Sequence, residues 1–153
     1  MPLFPYSSPF IKFCSRDFKI FQNNKTPLFT DVIVLSEFYN RLLKMAYNSY
    51  CAKYVQNQQN FSIKDYRKTQ DGASVMQNLC FTIQEILKSV KMINPNYSEP
   101  NFVSNITPLN CTNLDFNDLH IVSVCSQNNF CLWTNDFDFK GQQIDIFTEN
   151  QKY

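Results

Sequence analysis

Apolar residues recur with helical spacing in four stretches of the chain. The first begins at the Ser-Ser-Pro sequence of residues 7–9, a typical helix start, and its apolar positions continue to Phe21. The second follows Asp31, a good N-cap residue, and runs to Met45. Its first turns are apolar nearly all round, which predicts that the helix is deeply buried there.

Two further helices are predicted in the second half of the chain and just before it. The third runs from about Asp71 and ends before the Asn-Pro pair at residues 94–95, because proline cannot continue a helix. The fourth is capped by Thr112 or Asn113 and carries Asp118 at the start of its most apolar part.

Short apolar runs at residues 27–30, 130–134 and 144–147 are bounded by polar residues, a pattern typical of strands. Residues 47–66 are polar and rich in Gln and Asn, and they fit either a helical excursion or a loop. Helices and short strands therefore alternate, which predicts an α/β fold. A chain of 153 residues without a linker or repeat fits a single domain over residues 1–153.

The composition is that of an ordinary soluble protein, with 44% hydrophobic and 18% charged residues. No apolar run approaches the roughly 20 residues that a membrane span requires, and the start of the chain lacks the pattern of a signal peptide. We therefore expect a cytoplasmic protein with no membrane association. The six cysteines form no CxxC pair, which favours reduced core thiols over a zinc site.

The net charge of +1 gives no global attraction to nucleic acid, so contacts with RNA must come from local basic residues. The densest group is Lys64, Arg67 and Lys68, beside Tyr66. Tyrosine can stack on bases and basic side chains can bind phosphates, which makes these residues candidate RNA contacts. A solvated helix face or loop explains the same charges, and on sequence alone we prefer that explanation.

Three carboxylates that are far apart in the sequence each lie in an apolar setting. Glu37 is inside the second helix, Asp118 begins the apolar part of the fourth, and Asp136 directly follows a predicted strand. Ligands of open α/β sheets bind at the carboxyl ends of strands. Converging carboxylates would supply the hard oxygen ligands of Mg²⁺ or Mn²⁺, which activate water for phosphodiester hydrolysis without a catalytic Ser or Cys.

Each carboxylate also has a purely structural explanation. Glu37 can pair with Arg41 one turn later, Asp118 can be a helix-terminal charge, and Asp136 can form an Asx turn. His120 faces away from Asp118 on a helix, so we interpret it as an ordinary surface or core histidine. Trp133 is interpreted as a core residue.

Three segments in this order resemble the PIN-domain ribonucleases. They are Ser-Glu-Phe at residues 36–38, Leu-Asp-Phe-Asn-Asp at residues 114–118, and Thr-Asn-Asp-Phe-Asp-Phe at residues 134–139, of which the last is the most specific. The resemblance is strongest over residues 27–139. It implies a Rossmann-like, three-layer PIN fold with a short, mainly parallel sheet flanked by helices.

The resemblance also implies a metal-dependent endoribonuclease with Mg²⁺ or Mn²⁺ as its cofactor. The catalytic metal ligands would be Glu37, Asp118 and Asp136, with Asp138 as an auxiliary ligand. Thr134 and Asn135 would shape the site and, like Arg67 and Lys68 of the basic group, are weak candidates for contacts with the RNA substrate. Many family members are toxins of toxin-antitoxin pairs, so a cognate antitoxin and a homodimer are the implied protein partners.

The chain departs from the family pattern at its start. Family members usually open with an apolar strand that ends in an aspartate, whereas residues 1–5 are too short and too rich in proline for a central strand. Asp17 does not replace that aspartate, because its neighbours have helical periodicity. We therefore expect a missing first strand, through a truncated reading frame or a misassigned start, and weaker metal binding without a fourth carboxylate.

Two alternative functions follow from these observations. A catalytically degenerate PIN-like interaction module would keep the fold without the chemistry. A haloacid-dehalogenase-like phosphatase ranks last, because no DxD motif follows an early strand.

Overall fold

Helices and short parallel strands alternate along the chain in the computed structural model, which describes residues 9–55, 60–94 and 114–150. The chain divides into two compact units, Met1–Ile93 and Asn94–Tyr153. The predicted mixed α/β class is confirmed. In the first unit the elements are α1 (Pro9–Asn23), β1 (Phe29–Thr30), α2 (Val32–Tyr54), α3 (Ile63–Tyr66), α4 (Gln70–Leu87) and β2 (Lys91–Met92). In the second unit they are α5 (Phe116–Asn128), β3 (Leu132–Trp133), a 3-10 helix (Phe137–Phe139) and β4 (Ile146–Phe147).

Helix α2 begins where its sequence predicts. The side chain of Asp31 accepts a hydrogen bond of 2.9 Å from the backbone N–H of Val34 and so satisfies one of the unpaired donors of the first turn. The helix continues to Tyr54, which resolves the open interpretation of residues 47–54 in favour of helix. Strand β1, which precedes Asp31, and helix α1 are also confirmed.

The core of the first unit lies where α2, α3 and α4 meet. Leu43, Tyr66 and Leu79, one from each helix, are completely buried there. Burying a leucine side chain stabilises a fold by about 1.5–3 kcal/mol relative to its exposure. These three residues therefore anchor the packing of the unit.

Strand β2 was not predicted. The sequence pattern extends the third helix almost to residue 94, but α4 ends at Leu87 and the chain then pairs in parallel with β1. The N–H of Lys91 donates to the carbonyl of Leu28 and that of Ile93 to the carbonyl of Thr30, both at 2.9 Å. These long-range hydrogen bonds favour a strand after Leu87, so α4 ends earlier than the local periodicity predicts.

Both predicted strands of the second unit are confirmed, although each is only two residues long. They pair in parallel, with Leu132 opposite Ile146 and Trp133 opposite Phe147. The described residues thus contain two separate two-stranded parallel sheets, one in each unit. Parallel strands flanked by helices agree with the predicted class, while the specific three-layer arrangement of a PIN fold stays a prediction.

Helix α5 starts later than the sequence indicates. Its N-cap is Asp115, and the predicted caps Thr112 and Asn113 lie outside the described residues. At the other end, Asn129 adopts the left-handed conformation that commonly terminates helices. Of the described helices, none is long and apolar enough to cross a membrane.

Candidate functional site

The chain leaves β3 through Thr134 and Asn135, and Asn135 fastens this exit to the residues that follow β4. Its side-chain oxygen accepts hydrogen bonds from the hydroxyl of Thr148 at 2.9 Å and from the backbone N–H of Glu149 at 2.8 Å. Its backbone carbonyl accepts a third bond, of 3.0 Å, from the side-chain amide of Asn150. One residue therefore joins the carboxyl ends of two neighbouring parallel strands.

Asp136 stands directly after this junction and begins the 3-10 helix. Its backbone N–H donates to the hydroxyl oxygen of Thr134 at 3.0 Å, which fixes the turn out of β3. Its Oδ1 accepts a 3.1 Å hydrogen bond from the backbone N–H of Asp138. Both carboxylates are exposed, while Phe139 at the end of the 3-10 helix is buried. The Asx-type turn considered as an alternative for Asp136 is therefore present.

Asp118 takes part in a capping box at the start of α5. Its Oδ2 accepts a hydrogen bond of 3.3 Å from the backbone N–H of Asp115, and Asp115 Oδ1 accepts bonds from the N–H groups of Asn117 and Asp118. This arrangement satisfies unpaired donors of the first helical turn. The helix-terminal role considered for Asp118 is thus observed, and the side chain is half-buried.

Glu37 lies on α2 in the first unit, whereas the aspartates of the candidate site belong to the second. The prediction that the first turns of α2 are deeply buried is wrong. Glu37 is exposed, and so are its apolar neighbours Val32 (59%) and Val34 (38%). The buried residues of α2 are Leu43 and Cys51, farther along the helix, where α3 and α4 cover it.

The donor chemistry of the second unit suits a hard divalent cation. Asp136 and Asp138 present carboxylates from positions two residues apart in one turn. Within residues 9–55, 60–94 and 114–150, no group of three or more His, Cys, Asp or Glu side chains is arranged to hold a metal ion. Mg²⁺ commonly keeps several waters and binds through only one or two protein carboxylates together with substrate phosphates, so a pair of aspartates fits its requirements.

The basic segment of the first unit has one residue that cannot act as predicted. Tyr66 is completely buried, so its ring is not available to stack on a base. Arg67 and Lys68 are exposed, and the Lys68 ammonium lies 3.9 Å from a carboxylate oxygen of Asp65. An exposed pair at this distance contributes little stability, which leaves the lysine able to exchange partners.

Buried polar residues outside the candidate set include His120 and Asp17. His120 is 4% exposed, in line with its interpretation as an ordinary histidine. Asp17 on α1 is 3% exposed, with Oδ1 at 3.3 Å from Arg16 Nε. The buried Cys51 and Cys125 form no disulfide, as predicted, and neither do the exposed Cys80 and Cys131.

Sequence reasoning missed two features. One is the role of Asn135 in joining the strand ends, and the other is a cluster of aromatic rings around Tyr50. The bonds of Asn135 reach 13 to 15 residues along the chain, and no local pattern indicates them. The aromatic residues did leave a signal, since Tyr47, Tyr50 and Tyr54 follow helical spacing. The many Gln and Asn residues nearby masked that signal.

Comparisons with known proteins found no relative of this chain. No protein-family model, curated protein or solved structure matches the chain.

Proposed function

We propose that this protein is a metal-dependent endoribonuclease of the PIN type, hydrolysing RNA phosphodiesters with Mg²⁺ or Mn²⁺. The observation that carries the proposal is the turn at residues 134–138, where two carboxylates follow the carboxyl end of a parallel strand. Ligands of open α/β sheets bind at that end of the strands. The same turn contains the most specific segment of the family resemblance.

The residues of this turn have separable tasks in the proposed site. Asp136 and Asp138 would hold the cation, and Asn135 keeps their turn fixed to the exit of β4. The Thr134 hydroxyl accepts the N–H of Asp136 and so orients the first carboxylate. When bound by these carboxylates, Mg²⁺ or Mn²⁺ would supply activation of water and compensation of the charge on the phosphate. The family resemblance also implies Glu37 and Asp118 as metal ligands, and their part in the site stays a proposal.

The test is cleavage of fluorescently labelled single-stranded RNA by the purified protein with Mg²⁺, with Mn²⁺ and with excess EDTA. We expect cleavage with either metal and none with EDTA. Glu37→Gln removes a charge at an exposed helical position and is expected to abolish cleavage while leaving the circular dichroism spectrum unchanged. Metal-independent cleavage, or full activity of Glu37→Gln, would contradict the proposed chemistry.

A non-catalytic PIN-like interaction module is the second candidate. The observation in its favour is that Asp136 caps the 3-10 helix and Asp118 takes part in the capping box of α5, which explains their presence without any metal. A cap uses one carboxylate oxygen to accept N–H groups and does not require the negative charge. Absence of both RNA cleavage and saturable Mn²⁺ binding would favour this module. The cognate antitoxin and the homodimer stay proposals that rest on the family resemblance.

A further inference from the structure

Five aromatic rings form a connected cluster where the end of α2 meets α3. Tyr50 is at its centre, with ring centroids 5.0 Å from Tyr54, 5.2 Å from Tyr66 and 5.8 Å from Phe61. Tyr47 completes the cluster through its own contacts with Phe61 and Tyr66. Aromatic pairs at these separations stabilise one another beyond simple burial.

The inner part of the cluster is firmly held. Tyr66 is completely buried, and its hydroxyl donates a 2.7 Å hydrogen bond to a carboxylate oxygen of Asp71. Burial and this hydrogen bond raise the pKa of Tyr66 above its ordinary value, so the phenol remains a donor throughout the neutral range. The hydroxyl of Tyr47 donates to the carbonyl of Phe61 at 2.6 Å. The inner rings of the cluster are therefore held in place by hydrogen bonds as well as by packing.

Tyr54 is the outer end of this cluster. It is 70% exposed, the largest exposure of any large hydrophobic side chain that the structure describes. Its contact with half-buried Tyr50 limits the motion of its ring. An exposed ring that is already ordered loses little conformational freedom when a flat ligand stacks on it.

The sequence around the cluster is basic. Residues 50–71 contain four basic and two acidic residues, a net charge of +2, although the whole chain carries only +1. Both acids are engaged within the protein. Asp65 accepts bonds from Ser62 and pairs with Lys68, and Asp71 accepts the hydroxyl of Tyr66. The basic side chains are all exposed: Lys53, Lys64, Arg67 and Lys68.

We propose that this surface binds single-stranded RNA, with Tyr54 stacking on an unpaired base and the four basic side chains contacting phosphates. The inference rests on the proposed function in taking RNA as the ligand. Exposed aromatic rings beside positive charge are the combination that sequence-tolerant single-strand binding uses. A base inside a duplex offers no free face, which selects single strands over double-stranded RNA.

The test measures the anisotropy of a short, fluorescently labelled single-stranded RNA in EDTA, so that binding is observed without cleavage. Tyr54→Ala is expected to weaken binding by about 5- to 150-fold, the range for loss of one base–aromatic stack. Tyr54→Phe keeps the ring and should bind like the unchanged protein. Phe81→Ala is the matched control, because Phe81 is 57% exposed on α4 of the same unit.

The binding of phosphates is tested by salt dependence. The double change Arg67→Ala and Lys68→Ala should weaken binding and lower the slope of log affinity against log salt by about 0.7 for each phosphate that the protein no longer binds. Lys44→Ala, at another exposed position of α2, should leave both affinity and slope unchanged. Thermal unfolding of each variant, followed by circular dichroism, verifies that folding is retained.

Several results would overturn the inference. Tyr54→Ala that binds RNA as tightly as the unchanged protein would do so, and so would Phe81→Ala that weakens RNA binding as much as Tyr54→Ala. A third such result is a dimer of the unchanged protein that Tyr54→Ala dissociates, because it would assign the surface to a second copy of the chain. Binding through Tyr54 without any cleavage would leave this surface intact and refute only the proposed catalysis. RNA cleavage whose KM and kcat are unaltered by Tyr54→Ala would refute the binding surface and leave the proposed catalysis intact.

Discussion

Asn135 shows how much a single polar side chain contributes to the candidate site. Its side-chain oxygen and its backbone carbonyl together accept three hydrogen bonds from residues 148–150. The two strands it joins pair over only two residues each, so few ladder hydrogen bonds hold them together. The turn that carries Asp136 therefore depends on Asn135 for its position.

Asn135→Ala is expected to lower the free energy of unfolding by about 1–2 kcal/mol, because it leaves the half-buried hydroxyl of Thr148 and the exposed N–H of Glu149 without their acceptor. Urea denaturation measures this change. Asn135→Asp keeps the acceptor oxygen and should cost less, and Gln143→Ala, at an exposed position of the same unit, should have no measurable effect. Equal stabilities of Asn135→Ala and the unchanged protein would refute the role of Asn135 as a junction.

Asp65 provides a titratable reporter at the residue scale. Hydrogen bonds from the hydroxyl and then the backbone N–H of Ser62 hold the pKa of this carboxyl below its ordinary value. Because the pKa is lower in the folded state, the carboxylate contributes stability that is fully present above about pH 4 and is lost as the pH falls through the folded-state pKa.

Ser62→Ala removes the hydroxyl donor and should move the pKa of Asp65 back toward its ordinary value. Titration of the Asp65 carboxyl carbon by NMR measures this shift directly. Ser74→Ala, at an exposed position of α4, is the control and should leave the Asp65 pKa unchanged. An Asp65 pKa that does not respond to Ser62→Ala would contradict the capping-box assignment at α3.

At the scale of elements, local sequence signals located most of the structure. Asp31 predicted the start of α2, and the apolar runs near residues 132 and 146 predicted the two strands of the second unit. These signals work because capping and burial act between residues that are close in sequence. Strand β2 escaped prediction because its partner β1 lies about sixty residues earlier, and only that pairing distinguishes it from a helix end.

Asp31→Ala is expected to destabilise the first unit by about 1–2 kcal/mol, the usual cost of losing an N-cap acceptor. Asp31 is 2% exposed, so water cannot readily replace the missing acceptor for Val34. Urea denaturation provides the measurement, and Asp31→Asn, which keeps a side-chain oxygen, is the matched control. A change to alanine without loss of stability would show that the cap contributes nothing to α2.

At the scale of the whole molecule, the α/β class followed from the sequence, but the environment of Glu37 did not. Apolar neighbours predicted burial, whereas Val32 and Val34 are exposed and the core of the first unit lies farther along α2. Periodicity identifies an apolar face without indicating which element covers it. The same reasoning did recognise Asp136 at a strand exit, because that position depends only on local order along the chain.

The most direct test of the central claim compares RNA cleavage by two variants that lose the same charge. Asp136→Asn and Asp115→Asn each keep a side-chain oxygen to accept the capping N–H groups, so both should fold like the unchanged protein. With Mg²⁺ or Mn²⁺ present, we predict that Asp136→Asn abolishes cleavage and that Asp115→Asn retains it. Undiminished cleavage by folded Asp136→Asn would contradict the assignment of this turn as the catalytic metal site.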